Sequence, residues 1–173
     1  MTAPVMVRAE TAADRASVRR VNELAFEGAA EADLVEALHR DGLVLSSLVA
    51  ETDGAVVGHI LFSRMWVDAA GGSLDAVCLA PVAVAPPHQR RGIGSLLIGR
   101  GLDEVGRLGE RLVIVVGHPE YYPRFGFVPA HTFGLTCEFP SPPEAFMAIE
   151  LEPKALGGIR GLVRYLPQFG EVS

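Results

Sequence analysis

Two periods of apolar and polar positions alternate along this 173-residue chain. Val5 to Arg8 reads as a short strand. From Thr11 the period lengthens: Val18, Val21, Leu24 and Ala25 recur at helical spacing behind a Thr11/Asp14 pair of capping-box form. A second helical stretch, residues 31 to 40, shows Leu34, Val35 and Leu38 and stops at Asp41-Gly42. Strand signals then follow. Leu43 to Glu51 and Ala55 to Trp66 flank Thr52-Asp53-Gly54, a hairpin turn, and Ala69-Ala70-Gly71-Gly72 turns the chain into a strand over Asp75 to Val84.

The next helix carries apolar positions Ile93, Leu96, Leu97, Leu102, Val105 and Leu108. It also contains Gly99 and Gly101, each costing about 1 kcal/mol against Ala, with close packing on a sheet as the expected compensation. Arg111 to Val116 is an almost unbroken apolar run, the mark of a strand buried on both faces. Gly117-His118-Pro119 ends it and opens a helix bearing Tyr121 and Tyr122. Residues 133–139, 146–150 and 161–165 read as closing strands, with a loop at Pro140, Pro142 and Pro143. No repeat or second domain is visible, so the expectation is one mixed α/β domain over residues 1–173.

Composition narrows the function. Hydrophobic residues make up 49% of the chain and mean hydropathy is +0.29, yet Pro, Gly or charge interrupts every apolar run before eighteen residues. The start, Met1-Thr2-Ala3-Pro4, leads to Arg8 and Glu10 without a signal-peptide core, so a cytoplasmic protein with no membrane partner is expected. Cys78 and Cys137 lie far apart and read as reduced thiols. His39, His59, His88, His118 and His131 show no i, i+4 pairing, so no metal site is expected. Net charge is −6, and only Lys154 among fifteen basic residues is a lysine. The basic residues do not cluster beyond Arg90-Arg91, which argues against nucleic acid and mildly favours a cationic partner.

Candidate chemistry concentrates where the strand ending at Val84 meets the following helix. Gln89-Arg90-Arg91-Gly92-Ile93-Gly94-Ser95 forms a turn with two arginines and two glycines. The first N–H groups of a helix lack intrahelical acceptors and sit at the positive end of its dipole. Gly92 and Gly94 let the backbone approach an oxyanion, and Arg90 and Arg91 add donors suited to phosphate. The dinucleotide fingerprint fails because position 97 is Leu. The triphosphate loop fails because no Lys follows either glycine.

Gln89 to Gly94 resembles the Gln/Arg-x-x-Gly-x-Gly/Ala loop of the GNAT superfamily of acyl-CoA-dependent N-acyltransferases. A second element, His118-Pro119-Glu120-Tyr121-Tyr122-Pro123-Arg124-Phe125-Gly126-Phe127, resembles that family's Tyr-x-x-x-Gly-Phe. Together with Gly161 to Tyr165 it looks like the YhbS-like bacterial subgroup of N-acetyltransferases. The resemblance implies a central mixed sheet splayed between its fourth and fifth strands and flanked by helices. It also implies a coenzyme A pyrophosphate on Gln89, Arg90, Arg91, Gly92, Ile93, Gly94 and Ser95, and pantetheine pairing with Val82, Ala83 and Val84. As side chains Val82 and Val84 read as core. Pro81, awkward in an ordinary central strand because it cannot donate to a ladder, suits a strand with an unpaired edge.

The function so implied is transfer of acetyl from acetyl-CoA to a primary amine, on a small molecule or a protein, by direct attack in a ternary complex. Tyr122, four residues before Gly126, is the candidate general acid; a phenol of unperturbed pKa about 10 is protonated at neutral pH. Tyr121 is the competitor, since adjacent helical residues point about 100° apart. The oxyanion would meet a backbone N–H at Val82 or a neighbour. Where some members carry a glutamate base this chain has Cys78, a poor base; Asp75, Glu51, Glu120 and His118 are alternatives. Arg124 reads as a solvated charge or a phosphate or carboxylate partner, and His88 and His131 as loop residues. Two other readings stand beside this one: a catalytically idle acyl-CoA-binding or sensing module on the same fold, and a phosphate-binding protein unrelated to coenzyme A. Monomer and homodimer are both compatible with the sequence.

Overall fold

The computed structural model describes residues 3–139 and 141–171, with the side chain of residue 171 outside that description. The chain forms two compact units, and it passes between them several times. The first comprises residues up to Ser63, Ala80–Val105 and those from Pro167 onward; the second comprises Arg64–Leu79 and Gly106–Leu166.

In the first unit, β1 (Met6–Ala9) runs antiparallel to β2 (Val44–Thr52) with Val7 opposite Ala50. The strand β2 in turn pairs antiparallel with β3 (Ala55–Ala69), Thr52 opposite Ala55 across the expected tight turn. Asp53 and Gly54 close that turn with φ of 52° and 74°, values that favour Asn, Asp and Gly. Beyond β1, Asp14 accepts from the Thr11 N–H at 2.8 Å and the Thr11 hydroxyl at 3.1 Å, as the capping pattern predicts. Arg8 then grips the same carboxylate at 2.8 and 3.0 Å and Glu51 at 2.7 Å. This clamp ties the entrance of α1 (Arg15–Phe26) to β1 and β2.

The middle of β3 is buried on both faces because helices cover both. On one face, α3 (Ile93–Arg107) lays Ile93 and Leu97 against Gly58 and places Gly101 on Phe62. On the other, α1 meets the strand at His59 through Asn22. The apolar run from Val57 to Phe62 follows from that double cover. The helix α2 (Ala30–Arg40) buries Ala32, Leu34, Val35, Ala37 and Leu38. A short α4 (Gln168–Glu171) returns to this unit, with Gln168 Nε2 donating to Asp41 at 2.9 Å.

Within α1, Val18, Val21 and Asn22 are buried whereas Leu24 is exposed. The hidden face of a 3.6-residue helix runs 18, 21, 22, 25, so Leu24 falls to its side. Leu96 and Leu108, expected in the apolar stripe of α3, are likewise exposed.

The second unit contains the parallel rungs of β4 (Gly72–Val84) and β5 (Leu112–Val116): Val77 opposite Val113 and Cys78 opposite Ile114. The register ends there. On its other side β5 is paired along its whole length, antiparallel to β8 (Phe146–Glu150), which also pairs with β6 (Val128–Pro129). Leu112 to Val115 are buried, and Val116 is exposed at the strand end. Two further strands, β7 (Leu135–Cys137) and β9 (Gly161–Arg164), pair in parallel, and β9 runs antiparallel to β3 at Trp66–Ala69. The stretch expected as strand over residues 133–139 is thus shorter, because residues 130–133 form a 3-10 turn closed by Gly134 at φ 78°. Arg64 spans this unit, bidentate to Glu110 at 2.7 Å for each bond.

Candidate active site

The predicted loop lies in the first unit. After Val84, a 3-10 turn over Pro86–His88 is closed by His88 N–H to Ala85 O at 2.8 Å. Gln89 then folds its side chain back, its amide donating to Val84 O at 2.8 Å. Arg90 takes the left-handed conformation at φ 64°, and Gly92 does so at φ 81°. For Arg90 that conformation is strained by about 1–2 kcal/mol, which locates the turn's distortion beside the helix start. Gly92 closes the entry to α3, its carbonyl accepting the Leu96 N–H at 3.0 Å. Adding a Cβ at Gly92 would meet no neighbour within 4 Å, so glycine is favoured there by the left-handed φ and not by packing.

Arg90 and Arg91 are exposed and have no acidic partner among the described residues. Two unneutralised guanidiniums therefore stand at the positive end of a fifteen-residue helix. Beside them an open cleft of about 710 Å³ is lined by Ala3, Val5, Thr52, Asp53, His88, Arg91 and Ile93. Along the preceding strand Val82 and Val84 are half-exposed while Pro81, Ala83 and Ala85 are buried. The expectation that Val82 and Val84 are core side chains is corrected: strand alternation turns both to the less covered face. Pro81, preceded by a cis peptide bond, falls three residues past the last β4–β5 rung.

Tyr122 lies in the second unit. The tyrosine segment is a 3-10 turn, Tyr122–Phe125, ended by Gly126 at φ 103°. Tyr122 is buried and Tyr121 half-exposed, the divergence expected of neighbours on a helical turn. The Tyr122 ring meets Phe127 edge-on at 5.7 Å between centroids and Tyr121 at 5.3 Å. Its N–H donates to His118 O at 3.2 Å, and among the described residues its hydroxyl has no hydrogen-bond partner. Burial, helped by the neighbouring Tyr121, pushes the phenol up to about 12. The group is a proton donor at every physiological pH. Arg124 is committed locally, stacking over Tyr121 at 4.6 Å and donating to its carbonyl at 3.1 Å.

Of the base candidates, Cys78 is the one that its surroundings disable. Cys78 is buried, and burial pushes its thiol well above the ordinary range, so the thiolate is not accessible at neutral pH. Glu51 is engaged by Arg8, while Asp75, Glu120 and His118 are exposed. Among the described residues no group of three His, Cys, Asp or Glu side chains could hold a metal ion.

A buried polar network in the first unit escaped the sequence reading. Asn22 donates to Val18 O at 3.0 Å and to His59 Nδ1 at 3.1 Å, which leaves the imidazole proton on Nε2, facing Ser47 Oγ at 2.9 Å. Ser47 passes its own proton to Glu10 at 2.5 Å. Glu10, whose side chain is 1% exposed, also meets His39 at 2.9 Å and Arg15 at 3.2 Å. Burial, with the His39 charge adding to it, lowers the His59 imidazole to about 3 and keeps it neutral. The available signal was a histidine inside the apolar run Val56 to Phe62.

Comparison with known proteins agrees with this architecture. Residues 6–130 match the family described as acetyltransferase (GNAT) domain. The chain is 36% identical over 166 residues to the N-acetyltransferase YhbS of Escherichia coli K12, covering 95% of this chain and 98% of that protein. It is 40% identical over 134 residues to YjhQ of the same organism, covering 76% and 74%. The crystal structure of E. coli YhbS in complex with CoA superimposes with a TM-score of 0.91 at 34% identity, covering 98% of this chain and 94% of that one. A GNAT family acetyltransferase from Brucella melitensis in complex with acetyl-CoA gives 0.78 at 32% identity, covering 96% and 98%. By the family match over residues 6–130 and the likeness to YhbS along nearly the whole chain, the chain belongs to the GNAT family of acetyltransferases.

Proposed function

We propose that this enzyme moves an acetyl group from acetyl-CoA to a primary amine by direct attack, with the loop Gln89–Ser95 gripping the pyrophosphate and Tyr122 acting as general acid. The observation that carries the proposal is the loop: two arginines without acidic partners among the described residues and a left-handed Gly92 at the N-terminus of α3. Bound acetyl-CoA supplies a thioester, whose carbonyl carbon is open to an amine and whose sulfur can leave.

The chain's residues do the rest. Amides opening α3 at Ile93 and Gly94, with Arg90 and Arg91, bind the diphosphate. Val82, Ala83 and Val84 offer main-chain groups to an extended ligand in the manner of an added strand, with the Val82 N–H suited to a developing oxyanion. Gln89 anchors the end of that strand through Val84 O.

Tyr122 donates to the departing sulfur. A phenol near 12 facing a thiol of about 8.5 does not surrender its proton favourably alone. The step proceeds because the amine nitrogen, once bonded to the carbonyl carbon, becomes a strong acid. Its proton restores the phenol as the C–S bond breaks. With Cys78 unable to act as base, the acceptor binds as the free amine, and no covalent enzyme intermediate is needed.

The acceptor is a small-molecule amine or a protein amino group, and the net charge of −6 favours the approach of an amine that is cationic in solution and gives up its proton before it reacts. Among the described residues no helix is long and apolar enough to cross a membrane.

Calorimetry with acetyl-CoA tests the first part. Micromolar binding is expected, and Gly92→Glu should abolish it, because the change strains the backbone at φ 81° and sets a carboxylate against the phosphates. No binding by the unmodified protein would refute the reading. For the second part, Tyr122→Phe should slow thiol release about 10²–10⁴-fold while leaving acetyl-CoA affinity unchanged. Equal turnover would remove Tyr122 from the mechanism.

A further inference from the structure

Gly117 follows the last residue of β5 and precedes Tyr122 by five positions. Its φ is not in the left-handed region, so backbone freedom does not explain why the residue is glycine. Space does. A Cβ built there would overlap Tyr122 Cε2 and lie 3.0 Å from Cδ2 and 3.3 Å from Cζ. The phenol ring occupies the volume that any other residue would fill.

Neither side of this contact is free to retreat. The Gly117 N–H is held by Ala145 O at 2.9 Å, and the Tyr122 N–H by His118 O at 3.2 Å. The ring also packs against Tyr121 and Phe127, and Phe127 is itself 1% exposed. An added methyl group would have to be met by rotation of the Tyr122 side chain, which swings the hydroxyl at its far end.

We infer that Gly117 is a positioning residue for Tyr122: its missing side chain is the seat that aims the phenol. The catalytic meaning of that aim rests on the proposed role of Tyr122; the seat itself does not. A displacement of about 1 Å in a reacting group costs on the order of 10²-fold in rate, so a single methyl group at position 117 is enough to matter.

The chain contains three tyrosines, so protein labelled with 3-fluorotyrosine gives three ¹⁹F resonances, and Tyr122→Phe identifies one. In the unmodified protein, saturating acetyl-CoA should move the Tyr122 line. In Gly117→Ala that line should be displaced before ligand is added and its response to acetyl-CoA diminished. The Tyr165 line should stay in place, with acetyl-CoA affinity within about twofold. A Tyr122 line unmoved by Gly117→Ala overturns the inference. A Tyr122 line indifferent to acetyl-CoA in the unmodified protein refutes the proposed role of Tyr122 instead, and leaves the seat to be judged by the Gly117→Ala shift alone. Should Gly117→Ala fold poorly, the same change in a Tyr122→Leu background should lower the unfolding midpoint far less, because the ring it strikes is gone. An equal loss in both backgrounds would place the fault elsewhere and overturn the inference.

Discussion

Two glycines of α3, two residues apart, should respond to the same substitution with opposite sign. Gly99 and Gly101 are both interior to Ile93–Arg107, and Gly→Ala gains about 1 kcal/mol of helix propensity at either site. At Gly99 nothing lies within 4 Å of the added Cβ, so Gly99→Ala should stabilise by about 0.5–1 kcal/mol. At Gly101 the Cβ would lie 2.6 Å from Phe62 Cζ, overlap Cε2 and come within 3.6 Å of Ile60 Cδ1. Phe62 and Ile60 are wholly buried and have no solvent to retreat into. Overpacking of this kind costs about 1–3 kcal/mol. Set against the propensity gain, Gly101→Ala should therefore be neutral to destabilising by about 2 kcal/mol. The propensity term is common to both variants, so their difference, about 1–3 kcal/mol, measures the contact alone. Urea unfolding at neutral pH reads it from the midpoints, provided the slopes agree. In a melt the difference corresponds to roughly 2–4 °C per kcal/mol for a chain of this size. If Gly101→Ala stabilises as much as Gly99→Ala, the helix does not rest on Phe62 as described. A Phe62→Leu background, which removes the struck atoms, should relieve the Gly101→Ala loss.

His59, lowered to about 3 by burial and the His39 charge, refuses a proton that the unfolded chain accepts near 6.5. Its contribution is intact above pH 6.5 and is lost as pH falls towards 3, at about 1.4 kcal/mol per pH unit; a His59→Gln protein that keeps this slope in acid-unfolding measurements would assign it to other groups. Glu10→Ala strands His39, Arg15 and the Ser47 hydroxyl and should cost about 3–5 kcal/mol by denaturant unfolding, with a loss under 1 kcal/mol contradicting a paired buried carboxylate. Glu110→Ala removes the two bonds Arg64 makes to that carboxylate and leaves its bond to Ala76 O; it should cost about 1–3 kcal/mol, whereas a change within about 0.5 kcal/mol would mean that solvent takes over the guanidinium.

The strand and helix pattern was legible wherever one face is wet and one dry, as in α2, or where both faces are covered, as at Val57–Phe62 and Leu112–Val115. The loop at Gln89–Ser95 was legible because its chemistry is local: left-handed backbone, helix start and cationic side chains are consecutive in sequence. The divergence of Tyr121 and Tyr122 was legible for the same reason, since adjacent helical residues point about 100° apart. What could not be read depends on neighbours far along the chain. Gly99 and Gly101 look alike until Phe62 is placed under one of them. Leu24, Leu96 and Leu108 satisfy a helical spacing, but which arc of the helix is covered depends on where the sheet lies. The link from Glu10 through Ser47 to His59 and Asn22 joins the loop after β1 to β2, β3 and α1, and no spacing in the sequence announces it.

The brevity of the β4–β5 ladder has a consequence for colloidal behaviour. Its two rungs end at Cys78 and Ile114, so Val115 and Val116 bond to β8 on one side and carry no β4 rung on the other. Such a strand is an edge in the middle of a sheet, and a bare, apolar edge is a template for another chain's strand. On the proposed reading acetyl-CoA binds the native chain and not the unfolded one, so it lowers the population in which such edges are exposed. Acetyl-CoA would then act as a solubility factor as well as a reactant. At a hundred times its dissociation constant, it would hold the native state by about 2.7 kcal/mol. Light scattering on gentle heating should therefore begin earlier when the donor is stripped away, and the acetyl-CoA level of the surroundings would govern how long the protein lasts as well as how fast it works.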